Sequence, residues 1–270
     1  DAVKKICGNK GVYIVEDAAQ AMGGRFKGRK LGTIGDAGFF SFGRGKNITC
    51  GSGGVIITNS KAIGAALEEE FSKIDFPGAV ETAAELLKTA LMAALIHPLL
   101  YWIPSGMPFL KLGVTIFYRD FPIKKLSGMK AALLQDWEKR LEAHNLIRLE
   151  NSEFYKKRLR PDIAGAPVPY LRFPMIAAST ELRDRIYNAS RLAGLGLSLM
   201  YPAPVNKIEE IKENFRGKAF PEAEKVAERL FTLPTHRLIT ERDRTGVCGL
   251  VEGLMAPGTP KAEQLTTHRA

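Results

Sequence analysis

The first 60 residues alternate short apolar runs with glycine-rich turns, and this alternation leaves few folds open. The run Val12-Tyr13-Ile14-Val15 is continuous, apolar and rich in β-formers, which is typical of a buried parallel strand. Phe39-Phe40-Ser41-Phe42 and Gly54-Val55-Ile56-Ile57-Thr58 predict two further strands. A helix is expected next, over about residues 61–73. The pattern therefore predicts an α/β fold with a mainly parallel sheet.

A lysine and an aspartate lie just beyond two of these runs. Lys46 stands in the glycine-rich turn after the second run, and Asp17 follows the first. Open α/β sheets place their ligands at the carboxyl ends of strands, which is where Asp17 falls. A lysine that forms a Schiff base and a carboxylate that keeps a pyridine nitrogen protonated are what pyridoxal phosphate (PLP) requires. The pair therefore predicts a PLP site.

Other interpretations of Lys46 and its glycine-rich turn are weaker. A solvated surface charge is the commonest role of a lysine, but glycines and strand aromatics surround Lys46. A phosphate-binding P-loop would need glycine where Phe40 stands and serine or threonine where Asn47 stands. The glycines at 51, 53 and 54 do not have the spacing of a dinucleotide-binding motif.

Charge and residue composition limit the classes of ligand that the protein is expected to bind. The net charge of +10 favours anionic ligands, namely nucleotide phosphates, nucleic acid or an anionic membrane surface. The sequence contains neither an RNA-binding aromatic signature nor zinc-finger spacing, and its four histidines have no metal-ligand spacing, so we expect no nucleic acid and no metal. The three cysteines are far apart and odd in number, which predicts reduced thiols in a cytoplasmic protein.

An apolar insert follows the predicted helix. Between Lys88 and Lys111 there is no Lys, Arg, Asp or Glu, and residues 89–103 are almost wholly apolar. The run is long enough to cross a bilayer, but prolines and a glycine interrupt it, which favours a broken, re-entrant or interfacial helix. Two roles stay open: a packed flap at a subunit interface, or peripheral contact with the inner membrane surface through residues 89–110.

The rest of the chain is predicted to be largely helical. Residues 129–160 contain neither proline nor glycine and predict one long amphipathic helix. Further helices are expected over about 181–193, over about 221–230 and from 241 onward. The opening residues read as the middle of a helix without an initiator methionine, which predicts that an N-terminal portion is missing. The predicted organisation begins with the C-terminal part of a large, PLP-binding domain at 1–75, followed by the apolar insert at 76–128. The long helix with a small α+β domain follows at 129–256, and a loose tail at 257–270.

Four segments carry a dense resemblance to one family. They are Val15-Glu16-Asp17-Ala18-Ala19-Gln20-Ala21, Gly35-Asp36-Ala37-Gly38-Phe39-Phe40-Ser41-Phe42, Gly45-Lys46-Asn47-Ile48-Thr49 and Gly51-Ser52-Gly53-Gly54. Together they resemble the core signatures of the DegT/DnrJ/StrS sugar aminotransferases, which are PLP enzymes of fold type I. The similarity resumes more weakly at residues 127–134, 201–204 and 227–236, and so spans most of the chain except the insert.

The resemblance implies a role for each matching residue. Lys46 would form the Schiff base with PLP and later carry the proton between substrate and cofactor. Asp17 would bind the pyridine nitrogen, Gln20 the ring, and Ser41 the phosphate. Relatives that dehydrate sugars have histidine at the lysine position, so Lys46 favours transamination.

Some positions depart from the family pattern. Ile123 stands where the family has an asparagine that reaches the cofactor of a neighbouring subunit, and Lys125 stands where it has an arginine. Ser52 replaces a glutamate, and Met200 replaces a histidine. These changes affect the substrate side, which predicts an atypical sugar.

The implied function is transfer of an amino group from an amino acid, glutamate being the expected donor, to a keto sugar carried on a nucleotide. The family further implies a homodimer. The alternative is a non-catalytic, membrane-associated regulatory or binding relative. The identities of Lys46 and Asp17 argue for the enzyme, whereas Ile123 and the insert argue for the alternative.

Overall fold

A computed structural model describes residues 2–8, 10–95, 100, 107, 117, 119–161, 168–201 and 203–256. The α-helices of these ranges are α1 (Ala2–Cys7), α2 (Lys61–Ser72), α3 (Ala79–Leu95), α4 (Gly128–Ala132), α5 (Trp137–Leu159), α6 (Thr180–Ala193), α7 (Pro221–Arg229) and α8 (Glu241–Met255). The strands are β1 (Val15–Asp17), β2 (Arg25–Phe26), β3 (Arg29–Lys30), β4 (Ala37–Ser41), β5 (Gly54–Thr58), β6 (Arg172–Ile176) and β7 (Leu230–Pro234).

The chain divides into two compact units. The first consists of Asp1–Val114, Asp120–Leu146 and Val168–Leu171, and the second of Thr115–Arg119, Ile147–Pro167 and Arg172–Ala270. The predicted domain boundaries at 75, 128 and 256 stay predictions.

The sheet of the first unit has the order β1-β4-β5. Strands β1 and β4 are parallel, with Asp17 opposite Phe39, whereas β4 and β5 are antiparallel, with Ser41 opposite Gly54. The predicted parallel character therefore holds for one strand pair and fails for the other. The reason is the turn between β4 and β5, because the Phe42 N–H donates to the Gly53 carbonyl at 2.8 Å and reverses the chain. The fold of the unit is mixed α/β.

Strand β1 is less buried than its composition predicts. Val15 of β1 is exposed, as are Val12 and Tyr13 before it, and β1 lies at the edge of the described sheet, where it pairs with β4. Phe40 and Phe42 of the neighbouring strand and its extension are buried. Of the predicted run only Val15 lies in β1, which begins later than expected. The pairing of β1 with β4 is parallel as predicted, whereas the predicted burial is wrong.

The predicted helix over 61–73 is confirmed as α2, whose N-cap Ser60 accepts a hydrogen bond from the Ile63 N–H. The single long helix expected over 129–160 is instead two helices, α4 and α5, separated by a turn. In that turn Asp136 has a φ of 55°, and Arg140 Nη1 donates to the carbonyl of Leu133 at 2.8 Å. Since the turn contains no glycine or proline, its position depends on these contacts and not on helix-breaking residues.

The second unit is built on the later turns of α5. Strands β6 and β7 pair antiparallel, and Tyr155 of α5 donates its hydroxyl hydrogen to the Pro234 carbonyl at 2.9 Å. Tyr155, Phe173 and Phe231 are fully buried and form the centre of this core. The helices predicted near 181, 221 and 241 are confirmed as α6, α7 and α8.

Of the apolar insert, the structure describes chiefly α3. The predicted apolar run at 89–103 continues past the end of α3 at Leu95, and most of that continuation lies outside the described residues, as does the predicted tail at 257–270. Among the helices that are described, none combines the length and hydropathy needed to cross a membrane.

Candidate active site

Lys46 lies in a turn that is closed by the backbone on both sides. Besides the hydrogen bond from Phe42 to Gly53, the Cys50 N–H donates to the Phe42 carbonyl at 3.1 Å. Gly45 and Gly51 have φ values of 75° and 94°, which side chains of L-residues rarely tolerate. The shape of this turn, which we call the lysine turn (residues 43–53), therefore depends on its glycines.

Two opposing effects act on the Lys46 amine. Burial lowers the pKa of Lys46, and the Asp17 carboxylate raises it by a smaller amount, so that the pKa lies below its ordinary value. A lowered pKa increases the neutral fraction of the amine, and only the neutral amine is a nucleophile. The effect of Asp17 also shows that the structure brings these two predicted site residues into one electrostatic environment.

Asp17 occupies the carboxyl end of β1 and is exposed. The Ala19 N–H donates to Asp17 Oδ1 at 3.0 Å, which orients the carboxylate. The next residue, Ala18, is buried and donates its N–H to the Phe39 carbonyl at 3.0 Å. The backbone that carries Asp17 is thus held firmly, while the carboxylate itself is open to a ligand.

The remaining two predicted residues occupy different settings. Ser41 ends β4, and its Oγ accepts a hydrogen bond from the Gly43 N–H at 3.1 Å, so it shapes the entry to the lysine turn. Its hydroxyl can still donate to an anion. Gln20 lies exposed in the turn after β1, three residues from Asp17. The cofactor roles of both residues stay predictions.

Sequence reasoning assigned no role to Glu16, although this residue is the main anchor of the neighbouring loop. Its carboxylate accepts hydrogen bonds from the backbone N–H groups of Gly32, Ile34 and Gly35, the first at 3.0 Å and the last at 2.6 Å. Burial raises the pKa of Glu16, but these backbone donors and Arg29 together lower it by a larger amount. The pKa of Glu16 therefore lies below its ordinary value. The two adjacent carboxylates are therefore divided, because Glu16 binds backbone and Asp17 faces outward.

The residue after the lysine is anchored to α5. Asn47 is buried and donates from Nδ2 to Asn145 Oδ1 at 2.8 Å, and Asn145 donates from its own Nδ2 to the Met22 carbonyl at 2.9 Å. His144 Nδ1 lies 3.3 Å from the Asn47 carbonyl oxygen. This network holds the far side of the lysine turn, and the only signal for it in the sequence was the position of Asn47 beside Lys46.

A second contact reaches the lysine turn from α3 and α4. Lys130 Nζ donates to Ser52 Oγ at 2.7 Å and pairs with Glu85 Oε2 at 2.6 Å. Ser52 is the position at which the resemblance expects a glutamate, so here the carboxylate next to the turn comes from the insert helix.

Ile123 and Lys125, the two positions at which the sequence departs from the family's asparagine and arginine, have different surroundings. Ile123 is exposed, whereas Lys125 Nζ lies over the rings of Phe71 and Phe76, 4.9 and 5.1 Å from their centroids. These cation–π contacts hold the Lys125 ammonium group against two aromatic rings of the first unit.

The chemistry of these side chains fits PLP. The lysine turn supplies a partly desolvated amine, β1 a carboxylate and β4 a hydroxyl, which are groups suited to the carbonyl carbon, the pyridine nitrogen and the phosphate of PLP respectively. Within the described ranges, no group of three or more His, Cys, Asp or Glu side chains is arranged to hold a metal ion.

Comparison with known proteins identifies close relatives of part of the chain. An uncharacterized protein of Methanocaldococcus jannaschii is 48% identical over 63 residues, which are 23% of this chain and 16% of that protein. The GDP-perosamine synthase of Vibrio cholerae is 42% identical over 62 residues, which are 23% of this chain and 17% of the synthase.

The fold of a solved structure extends this likeness over nearly the whole chain. The crystal structure of a DegT DnrJ EryC1 StrS aminotransferase from Brucella abortus matches 94% of this chain with a TM-score of 0.66 at 19% identity. This chain covers 60% of that solved chain, and so spans less than two thirds of the proteins it resembles. The sequence pattern of the DegT/DnrJ/EryC1/StrS aminotransferase family matches residues 1–252, and the chain therefore belongs to that family.

Proposed function

We propose that the protein is a PLP-dependent aminotransferase that transfers an amino group from an amino acid, with glutamate as the donor, to a keto sugar linked to a nucleotide. The observation that carries this proposal is the lowered pKa of Lys46 in a glycine-shaped turn within electrostatic reach of Asp17. A surface lysine has no need of either feature.

Each of the four site residues is proposed to contact a different part of PLP. Bound PLP supplies an electron sink that stabilises negative charge at the substrate carbon. Lys46 Nζ would hold PLP covalently and would accept and return a proton at the substrate carbon, for which its lowered pKa is suited. The Asp17 carboxylate would keep the pyridine nitrogen protonated, the Ser41 hydroxyl would bind the phosphate, and Gln20 would contact the ring.

The choice of transamination and of a sugar substrate rests on two arguments. Lys46 stands where dehydrating relatives have histidine, and an amine is needed for covalent attachment of PLP. The GDP-perosamine synthase among the relatives makes a nucleotide-linked sugar the best candidate for the acceptor. The net charge of +10 favours such an anionic substrate. We further propose a homodimer located in the cytoplasm.

The proposal is tested by locating PLP on the protein. Incubation with PLP, reduction with borohydride and peptide mapping should find a pyridoxyl group on Lys46, and the visible absorbance of the bound cofactor should vanish in Lys46→Ala. Lys30→Ala is the matched control, because Lys30 is exposed on β3 in the same unit, and it should keep the absorbance. Absence of both absorbance and a label on Lys46 in the wild type would overturn the enzyme proposal.

That negative result would favour the second candidate, a non-catalytic, membrane-associated relative. One observation supports this candidate, namely the exposed apolar face of α3. A pyridoxyl group on Lys46 would count against the non-catalytic part of this candidate and would leave membrane contact open.

A further inference from the structure

Helix α3 is amphipathic, but it turns its polar side toward the protein. The less exposed positions of the helix are Thr82, Glu85, Thr89, Met92 and Leu95, of which the first three are polar and recur at helical spacing. Glu85 pairs with Lys130. Thr89 packs closely against Gly51, since a Cβ atom added to that glycine would lie only 3.1 Å from the Thr89 hydroxyl oxygen. The polar side of α3 is thus fixed against the lysine turn and α4.

The opposite side of α3 is apolar and exposed. Val80, Leu87 and Leu91 are 85%, 71% and 57% exposed. The alanines around them are exposed as well and are Ala83, Ala84, Ala90 and Ala94. We call Val80, Leu87, Leu91 and these alanines the α3 apolar face. Because the polar side is fixed by Glu85 and Thr89, the helix cannot rotate to bury this face without breaking those contacts.

The α3 apolar face has a cation at its margin on a basic chain. Lys88 lies at this margin and is exposed. Of the two acidic residues of α3, Glu85 pairs with Lys130, and Glu81 is exposed. The chain as a whole has a charge of +10.

The size of the face decides between two occupants. A helix of 17 residues is about 25 Å long and about 10 Å wide, so the face offers a footprint of roughly 250 Å². Each partner in a stable protein complex buries roughly 800 Å². A second copy docked on this face alone would therefore be held poorly, whereas an exposed apolar helix face on a basic chain suits an anionic lipid surface.

We propose that the α3 apolar face docks onto an anionic membrane surface, with Leu87 and Leu91 entering the lipid and Lys88 meeting the headgroups. The contact is peripheral and needs no spanning helix. It is independent of the proposed function, since it requires neither PLP nor a sugar.

Vesicle co-sedimentation tests this proposal. The protein should sediment with vesicles of phosphatidylcholine and phosphatidylglycerol at low salt, and less well with phosphatidylcholine alone. The double variant Leu87→Asn with Leu91→Asn should lose at least about tenfold in vesicle affinity, because two apolar anchors are removed. Leu192→Asn is the matched control, since Leu192 is 93% exposed on α6 and should leave binding unchanged.

A second variant separates lipid charge from folding. Lys88→Gln should weaken binding to the anionic vesicles and not to the neutral ones. A wild type that stays in the supernatant, a double variant that binds like the wild type, or a dimer that the double variant disrupts without any lipid binding would each overturn the proposal.

Discussion

At the scale of single residues, the site depends on how burial and charge oppose each other at one amine. Lys46 is partly buried, which lowers its pKa, and Asp17 limits that decrease. The same carboxylate is exposed and free of the backbone network that occupies Glu16. Two neighbouring acids can thus serve different purposes because their backbone surroundings differ.

The first prediction concerns Asp17→Asn. Loss of the carboxylate removes the effect that raises the pKa of Lys46, so this pKa should fall further and the neutral fraction of the amine at pH 8 should grow. Competitive acetylation followed by mass spectrometry should show Lys46 labelled several-fold faster than in the wild type, with an exposed lysine such as Lys10 as the internal reference. Unchanged or slower labelling of Lys46 would show that Asp17 does not act on it. The melting temperature should not change, because Asp17 is exposed.

At the scale of elements, the lysine turn is held from two directions. Asn145 of α5 binds Asn47, and Lys130 of α4 links Ser52 to Glu85 of α3. The pair of Lys130 and Glu85 is partly buried, with side-chain exposures of 13% and 34%, so it should contribute more than a pair on the open surface.

Reversal of this ion pair gives the second prediction. Lys130→Glu alone brings two carboxylates together and should destabilise the first unit by on the order of 1–2 kcal/mol. Adding Glu85→Lys restores opposite charges, and Ser52 can donate to the new carboxylate, so the double variant should recover most of this loss. Urea unfolding of the wild type, both single variants and the double variant measures the coupling. Purely additive effects would mean that the contact does not stabilise the turn.

Elements differ in how far the sequence predicts them. The β5 strand, the α2 helix and the position of Lys46 between strands were predictable because apolar runs and glycines act locally. The break between α4 and α5 was not, because it depends on Arg140 binding the Leu133 carbonyl and on no helix-breaking residue. The antiparallel pairing of β5 was missed because it follows from the hydrogen bond across the lysine turn.

At the scale of the whole molecule, the site network was hidden for a related reason. Asn47 and Asn145 are 98 residues apart in the sequence, and the partner of Glu16 at Gly35 is 19 residues away from it in the sequence. Such contacts exist only after the chain has folded, so residue type and spacing cannot reveal them. The residues proposed to carry chemistry could be predicted because PLP requires particular side chains, whereas the residues that position them could not.

The last prediction concerns the stability of the second unit against acid. His236 follows β7, and burial, aided by Arg172 and Arg148, lowers its pKa from 6.5 to about 4, while Asp243 opposes this shift. Between these two values the unfolded chain binds more protons than the folded one, so stability increases with pH across this window and is lost as pH falls through it. Allowing for the partial exposure of the ring, the loss attributable to His236 should be on the order of 2 kcal/mol.

Urea unfolding monitored at pH 7, 6, 5 and 4.5 tests this expectation. His236→Gln cannot take up the proton and should flatten the decrease between pH 6.5 and 4.5, even if its stability at pH 7 is lower. His144→Gln is the matched control, because His144 lies in the first unit, and it should retain the slope. If wild type and His236→Gln lose stability in parallel as the pH falls, the imidazole already ionises in the folded protein. The acid sensitivity in this range would then belong to other groups, and not to the Glu16 carboxylate, whose lowered pKa stabilises the fold fully above pH 4.5 and loses this contribution only as the pH falls below that value.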